Sequence, residues 1–423
     1  MLYRYAVQSE LAGGSVQPQK HICSSASVRR QSSNRTNTHT RTLAHSHTLG
    51  MERLLTIFEQ ADPFSTWWPT IAAVVVGIVI TVRTIMSGQR CPNDNQIKEQ
   101  IVVVTGGSSG IGFEIAKALA ARGGRIILAC RNLAEGERAA AIIKRELGCR
   151  TPTSADDNVS PAERYFVEVR HVDLCSLRSV HQLASQLMSE FERIDVLVNN
   201  AGIVFADTRI PTPDGFEPHS QVNYLAPFLL TQLLLPHLRR AEQGRIVFVS
   251  AHAHQAAKID FDDPLNVGTY SVKFHARDAF AHSKLAVILA TRWLARELKD
   301  TPITVNCCTP GLVRGTRHLR NSPLMSAICV KVITYPWMWL FMKNASEGAQ
   351  CAIRLATDPQ LKQVTGEYFN DCEIAPTSEA GRDKELAKKL YMQTIKTLQR
   401  VTKLTVDKEA CTMATQLQLE SGN

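Results

Sequence analysis

The chain has 423 residues, 44% of them hydrophobic, which is enough to bury a large core within a single α/β domain. Its formal charge of +9 is concentrated: +5 falls in the first 50 residues, and the +4 left over the remainder is mixed with acidic residues as on an ordinary solvated surface, which argues against a nucleic-acid groove. The eleven cysteines form no CxxC pair, no secreted disulfide spacing and no Cys/His grouping of metal-ligand type, so reduced, buried thiols in a cytosol-facing fold are expected, with no metal site.

Residues 1–50 are rich in Ser, Thr, Arg, Gln and His without apolar periodicity, and are predicted to be a disordered basic extension. Met51 reads as a natural start, the preceding residues being either an upstream extension or a basic targeting leader. A short N-terminal segment, 51–66, then leads into an apolar run. No charge occurs from Trp67 to Val82; Trp67 and Trp68 mark one interface, and Arg83 and Arg90 close the other end. Counted as 67–86, the run is long enough to span a bilayer, and it is apolar on every face, unlike a buried amphipathic helix. With Met51 as the start, the positive charges follow the span, so the large domain is expected to face the cytosol, at the endoplasmic reticulum.

Beyond the anchor, β-branched runs alternate with helical stretches: Ile101 to Val104, Arg125 to Ala129, Asp195 to Asn199, Arg245 to Ser250 and Ile303 to Cys307. Such alternation predicts a doubly wound parallel sheet of Rossmann type, helices on both faces and ligands at the carboxyl ends of the strands. Thr151 to Arg164 is a polar loop. The stretch PLMSAICVKVITYPWMWLFM is apolar but interrupted by Lys331 and Pro336, so it reads as a lid or a membrane-dipping helix. The domain is expected to occupy 97–400, followed by a tail, 401–423.

Directly after the first strand comes TGGSSGIG, Thr105 to Gly112, opening a helix. Glycines there allow a tight turn and close approach of backbone N–H groups to a pyrophosphate at the positive helix end. The chain also carries VDL, Val172 to Leu174, and LVNNAG, Leu197 to Gly202. Together with ACRN, VDLCSLRSV, DGFEPHSQVNYLAPFLLTQLLL and TGEYFNDCEIAP, these motifs resemble the short-chain dehydrogenase/reductase family from about Gln100 to about Gln399. Within it they resemble the membrane-anchored, retinol-dehydrogenase-like branch.

The resemblance implies a nicotinamide cofactor held by Gly106, Ser108, Ser109, Gly110, Ile111 and Gly112, with Asp173 at the adenine, and Leu174, Asn199, Ala201, Gly202, Lys284, Pro310 and Gly311 also lining the site. An acidic residue at the end of the second strand would select NAD(H); Cys130, Arg131 and Asn132 stand there, and Arg131 suits a 2′-phosphate, so NADP(H) is expected. Asn223 matches the helix asparagine of the family's proton relay, and Lys284 matches the lysine of its active site.

In the family a tyrosine four residues before that lysine donates the proton, and a serine at the end of the fifth strand bonds the reacting oxygen. The four-residue spacing sets phenol and ammonium on one helix face. Here Phe280 stands four residues before Lys284, and in FVSAHAH the second member of the usual serine doublet is Ala251, after Ser250. At TPGLVRGT, Gly315 stands where a hydroxyl residue is usual, with Thr316 one step late. A phenyl ring has no acidic proton, and an alanine cannot stabilise an oxyanion. The expectation is a site that binds NADP(H) together with a lipophilic small molecule or a membrane-associated partner, but is catalytically impaired. The alternative is an active NADP(H)-dependent oxidoreductase on a retinoid-like or other lipophilic carbonyl or alcohol, with a displaced donor. Candidates for that donor are Tyr270 in a preceding loop, the histidines His252 and His254 on a polar loop, His282 pointing off the Phe280 face, and Ser250 if it rotates.

Overall fold

The computed structural model describes residues 63–148, 165–204, 210–259, 275–315 and 328–401. The expectations for residues 1–50, most of 51–66, the polar loop 151–164, Tyr270, Thr316 and the tail at 402–423 lie outside them. By internal contacts the chain divides into two units, Met1–Ala73 and Val74–Asn423. The first helix, α1 (Pro63–Ser87), contains the expected apolar run; its stretch Trp67–Ser87 is 21 residues of mean hydropathy 2.0, none of it buried. At about 1.5 Å per residue that stretch is roughly 30 Å long, the thickness of a hydrocarbon core.

Eight strands form one sheet in the order β3-β2-β1-β4-β5-β6-β7-β8. They are β1 (Ile101–Thr105), β2 (Arg125–Cys130), β3 (Val167–His171), β4 (Val196–Asn199), β5 (Gly244–Val249), β6 (Ile303–Thr309), β7 (Tyr368–Asn370) and β8 (Glu373–Ile374). All neighbours pair in parallel except β7 with β8. The five predicted strands are present within one or two residues. The three not singled out are marginal as sequence: β3 is an edge strand with alternating exposure, and β7 and β8 are three and two residues long.

Alternate residues of β1 supply opposite cores, which is why the strand is apolar throughout. Ile101 and Val103 join one cluster, and Val102 and Val104 the other. The first face is covered by α4 (Leu177–Glu190), α5 (Ala226–Leu238), α6 (Ala276–Glu297) and α9 (384–401). The second is covered by α2 (Gly110–Ala121), α3 (Leu133–Gly148) and α8 (Ala345–Thr357). The helix α7 (Ile328–Phe341) corresponds to the interrupted apolar stretch, with Pro336 inside it. Strand order reverses between β1 and β4, so a crevice opens at their carboxyl ends; that is where a ligand binds in sheets of this kind.

Candidate active site

The glycine loop connects β1 to α2 across this crevice. Gly106 and Gly110 hold φ of +68° and +59°, a region that L side chains rarely adopt. A Cβ on Gly106 would lie 3.1 Å from Ala201, and one on Gly112 would lie 2.4 Å from Gly106 O and from Asn200 Nδ2. The loop, the LVNNAG turn and the start of α2 therefore pack backbone to backbone. Ser109, the N-cap of α2, makes no side-chain cap bond, so its hydroxyl does not serve the N–H groups of the first turn.

Asn199 and Asn200 divide the work of the turn. Asn199 is buried and donates to Thr231 Oγ1 on α5 at 3.0 Å, tying the sheet to that helix. Asn200 faces the glycine loop, donating from Nδ2 to Thr105 O at 3.0 Å, while Thr105 Oγ1 accepts from the amides of Asn200 and Ala201 at 3.0 Å each. Sequence reasoning named Asn199 and missed Thr105 and Asn200; the two asparagines are adjacent, and only the strand's facing tells them apart.

At the end of β2, Arg131 is exposed, whereas the Asn132 side chain accepts from Glu135 N at 3.2 Å and so starts α3. Asp173 accepts from Cys175 N at 3.0 Å, and its own amide donates to Ser179 Oγ at 2.9 Å, which holds the turn leading from β3 to α4.

Deeper in the crevice Asn223 sits on a π-helical turn, Gln221–Leu225, before α5. Such turns favour functional positions because the extra residue frees backbone and re-aims side chains. Its Oδ1 accepts from Ile203 N at 2.7 Å, and its Nδ2 donates to Ile203 O and Ser283 Oγ, both at 3.0 Å. Ser283 Oγ in turn donates to Phe280 O at 2.7 Å. A Cβ on Gly202 would be 3.0 Å from Asn223 Oδ1 and 3.4 Å from Lys284 Nζ, so these three residues form one cluster.

Lys284 is buried and donates to Val249 O at 2.8 Å. Burial pushes its ammonium down to about 8, since a desolvated amine favours the neutral form. The ammonium lies 5.7 Å from the centroid of the Phe280 ring, whose edge also meets His219 at 6.5 Å between centroids. His219 is fully buried and pairs through Nδ1 with Glu217 at 2.7 Å.

The region around Ala251 differs from the polar loop expected there. Residues His252–Ala256 form a 3₁₀ turn in which His254 is fully buried, its Nδ1 2.8 Å from Ala251 O and its Nε2 accepting from Ser378 N at 3.4 Å. Burial lowers its pKa. The burial follows from packing against Tyr368 on β7, a strand sequence reading did not anticipate. His252 remains exposed, its Nδ1 3.3 Å from Thr309 Oγ1 at the end of β6. Ser250 is 2% exposed and donates to Lys284 O at 2.8 Å. Beyond it, Thr309 Oγ1 also accepts from Gly311 N at 3.2 Å, shaping the turn at Pro310.

The sequence matches the model of the short chain dehydrogenase family over residues 100–261. It is 37% identical to retinol dehydrogenase 13 of Homo sapiens over 323 residues, 75% of this chain and 90% of that protein. It is 40% identical to retinol dehydrogenase 14 of Homo sapiens over 292 residues, 69% of this chain and 83% of that one. The chain belongs to the short-chain dehydrogenase/reductase family. The fold agrees: a crystal structure of an uncharacterised protein from Mycobacterium paratuberculosis superposes with a TM-score of 0.54 at 27% identity, covering 73% of this chain and 97% of that one. The match to the family model ends at residue 261, before Lys284, while the two retinol dehydrogenases align over stretches too long to stop there.

Proposed function

We propose that the protein is a membrane-anchored, NADP(H)-binding member of this family whose usual carbonyl chemistry is impaired. The observation that carries the proposal is the pairing of Lys284 with Phe280 on one helix face, an ammonium 5.7 Å from a ring that bears no hydroxyl.

The cradle suits the cofactor. Glycine at 106 and 112 lets the loop close against Ala201, Asn200 and its own backbone, and the first turn of α2 presents N–H groups that Ser109 does not cap, as a pyrophosphate requires. We assign Ser108, Ser109, Gly110 and Ile111 to the same cradle, Arg131 to a ribose 2′-phosphate, and Asp173 to the adenine. Leu174, Asn199, Ala201, Gly202, Pro310 and Gly311 line the remainder, and Lys284 holds the ribose, with Asn223 behind it.

NADP(H), when bound, carries the hydride exchanged with a carbonyl or an alcohol. The protein's share is the proton and the developing oxyanion. Phe280 and Ala251 hold the two positions the family uses for these tasks and can do neither. Ser250 does not fill in, because its hydroxyl is bonded inside the fold to Lys284 O. Loss of a general acid costs about 10²–10⁴ in rate and loss of one oxyanion donor about 10²–10³. Residues 97–400 form the cofactor-binding domain and 67–86 the anchor. With basic residues following the span, the domain faces the cytosol, at the endoplasmic reticulum.

A second reading is an active oxidoreductase on a retinoid or another lipophilic carbonyl or alcohol, as the names of the two human relatives imply. It is favoured by His252, an exposed imidazole next to Ala251 at the carboxyl end of β5. Tyr270, another candidate donor, lies outside the described residues.

One experiment separates the two readings. The full chain is titrated with NADPH, and reduction of retinal and of simple aldehydes is measured beside an Ala251→Ser, Phe280→Tyr double variant. Activity confined to the double variant supports impairment. Turnover by the unmodified protein overturns it, and failure to bind NADPH removes the cofactor assignment common to both readings.

A further inference from the structure

The C-terminal half of helix α7, 334–341, is exposed where a soluble protein would cover it. Tyr335, Trp337, Trp339 and Phe341 are 61%, 63%, 41% and 42% exposed, and Leu312, beside the helix's C-terminal end, is 72% exposed. Trp337 and Phe341 stack in parallel, their centroids 5.9 Å apart, forming a flat aromatic ledge. Successive positions of this turn point in all directions, so the exposure is not one stripe waiting for a partner helix but an apolar rod with aromatic tips.

Two links tie this rod to its neighbours. Arg83, near the C-terminal end of the apolar helix α1, forms a two-pronged ion pair with Glu347 at the start of α8, 2.6 Å to Oε2, and its guanidinium lies 6.0 Å from the Trp339 ring. Trp339 is thereby held at the level where the uncharged run of α1 ends. The second link runs to the crevice. Arg314 donates to the carbonyls of Trp339 and Met342 at 3.0 and 2.7 Å, and the backbones of Leu312, Arg314 and Lys343 exchange bonds of 2.8 Å. Leu312 follows directly on the Thr309–Gly311 turn at the end of β6.

We propose that α7 beds into the interface of the same bilayer that α1 crosses, so that the β6 side of the active-site crevice opens onto the lipid surface. The occupant is lipid, for two reasons. The Arg83 contact sets α7 beside the end of the span, and amphipathic aromatic rings are favoured at headgroup depth. A lipophilic ligand would then pass along α7 into the crevice without crossing water. The proposal rests on the anchor assigned to α1, and its test separates the two.

The chain has five tryptophans: Trp67 and Trp68 in the anchor, Trp293 in the domain, and Trp337 and Trp339 in α7. The full chain is reconstituted into phosphatidylcholine vesicles with and without lipids brominated near the headgroup. In a Trp67→Phe, Trp68→Phe variant the brominated lipid is expected to remove most of the emission of Trp337 and Trp339. Further replacement of these two by Phe should leave only the Trp293 signal, insensitive to bromine. Unquenched Trp337 and Trp339 overturn the proposal. If Trp67 and Trp68 are still quenched in the reciprocal Trp337→Phe, Trp339→Phe variant, the anchor stands and only the seating of α7 falls; if they are not, both fall. NADPH titration of each variant is independent of these outcomes.

Discussion

Replacing Lys284 with methionine tests how far the candidate site is desolvated. Lys284 is 5% exposed, and burial takes the pKa of its ammonium from 10.5 to about 8. In the unfolded chain the same group keeps its proton up to about 10.5, so the unfolded state binds more protons in the window between those values. Below pH 8 folding must enclose a charged amine; as pH rises through 8 toward 10.5 that cost disappears, and stability rises. From about pH 7 to about pH 9.5 the two pKa values imply a gain of about 2 kcal/mol from this one group in the cofactor-free protein. Other buried groups act in the opposite direction. Burial raises the pKa of Tyr224, Tyr368 and Cys307, so the native state holds protons the unfolded chain gives up, and their contribution falls as pH rises. These groups are common to both proteins and cancel in the comparison. The carbonyl of Val249, which loses its donor in the variant, adds an offset without pH dependence. Denaturant unfolding of wild type and Lys284→Met across this range should give a difference that climbs by about 2 kcal/mol toward high pH in favour of the wild type. Parallel curves would show that the amine is solvated and would refute the burial argument.

Gly112→Ala brings a Cβ to 2.4 Å from Gly106 O and Asn200 Nδ2; an overpacking cost of about 1–3 kcal/mol, displacing the loop that would hold the pyrophosphate, should appear as a roughly 5- to 100-fold loss of NADPH affinity by titration, with an unchanged circular dichroism spectrum. Arg131→Ala should remove a charge-assisted bond of about 1.5–3 kcal/mol from NADPH but not from NADH, collapsing the ratio of their dissociation constants by roughly 10–100-fold. Asn223→Ala abandons three hydrogen bonds at the π-helical turn, one of them fully buried, and thermal unfolding should show a destabilisation of about 1–3 kcal/mol, larger than that of Asn132→Ala, which loses a single exposed cap bond worth about 1 kcal/mol.

The parts of the site that were legible in the sequence are those whose constraint is local. The glycines at 106 and 110 answer to backbone φ, and the four-residue step from Phe280 to Lys284 is a property of one helix. The two buried cores were legible too, because a strand covered on both faces is apolar at every position. The apolar helix α1 was readable as composition alone, since an uninterrupted run of 21 residues is long enough to cross a hydrocarbon slab.

What only the tertiary structure decided were contacts between residues distant in sequence. Asn199 and Asn200 are the same residue type in adjacent positions, and the pleat of β4 sends one to Thr231 and the other to the glycine loop. Ser250 was a candidate donor until the carbonyl of Lys284, 34 residues away, claimed its hydroxyl, and His254 became a buried core residue because β7 returns beside it. Arg83 closes the apolar run as sequence and clamps Glu347 as structure, across 264 residues. Composition and periodicity record what one segment requires of solvent and backbone; they carry no record of which distant partner satisfies a side chain once the sheet has ordered its strands.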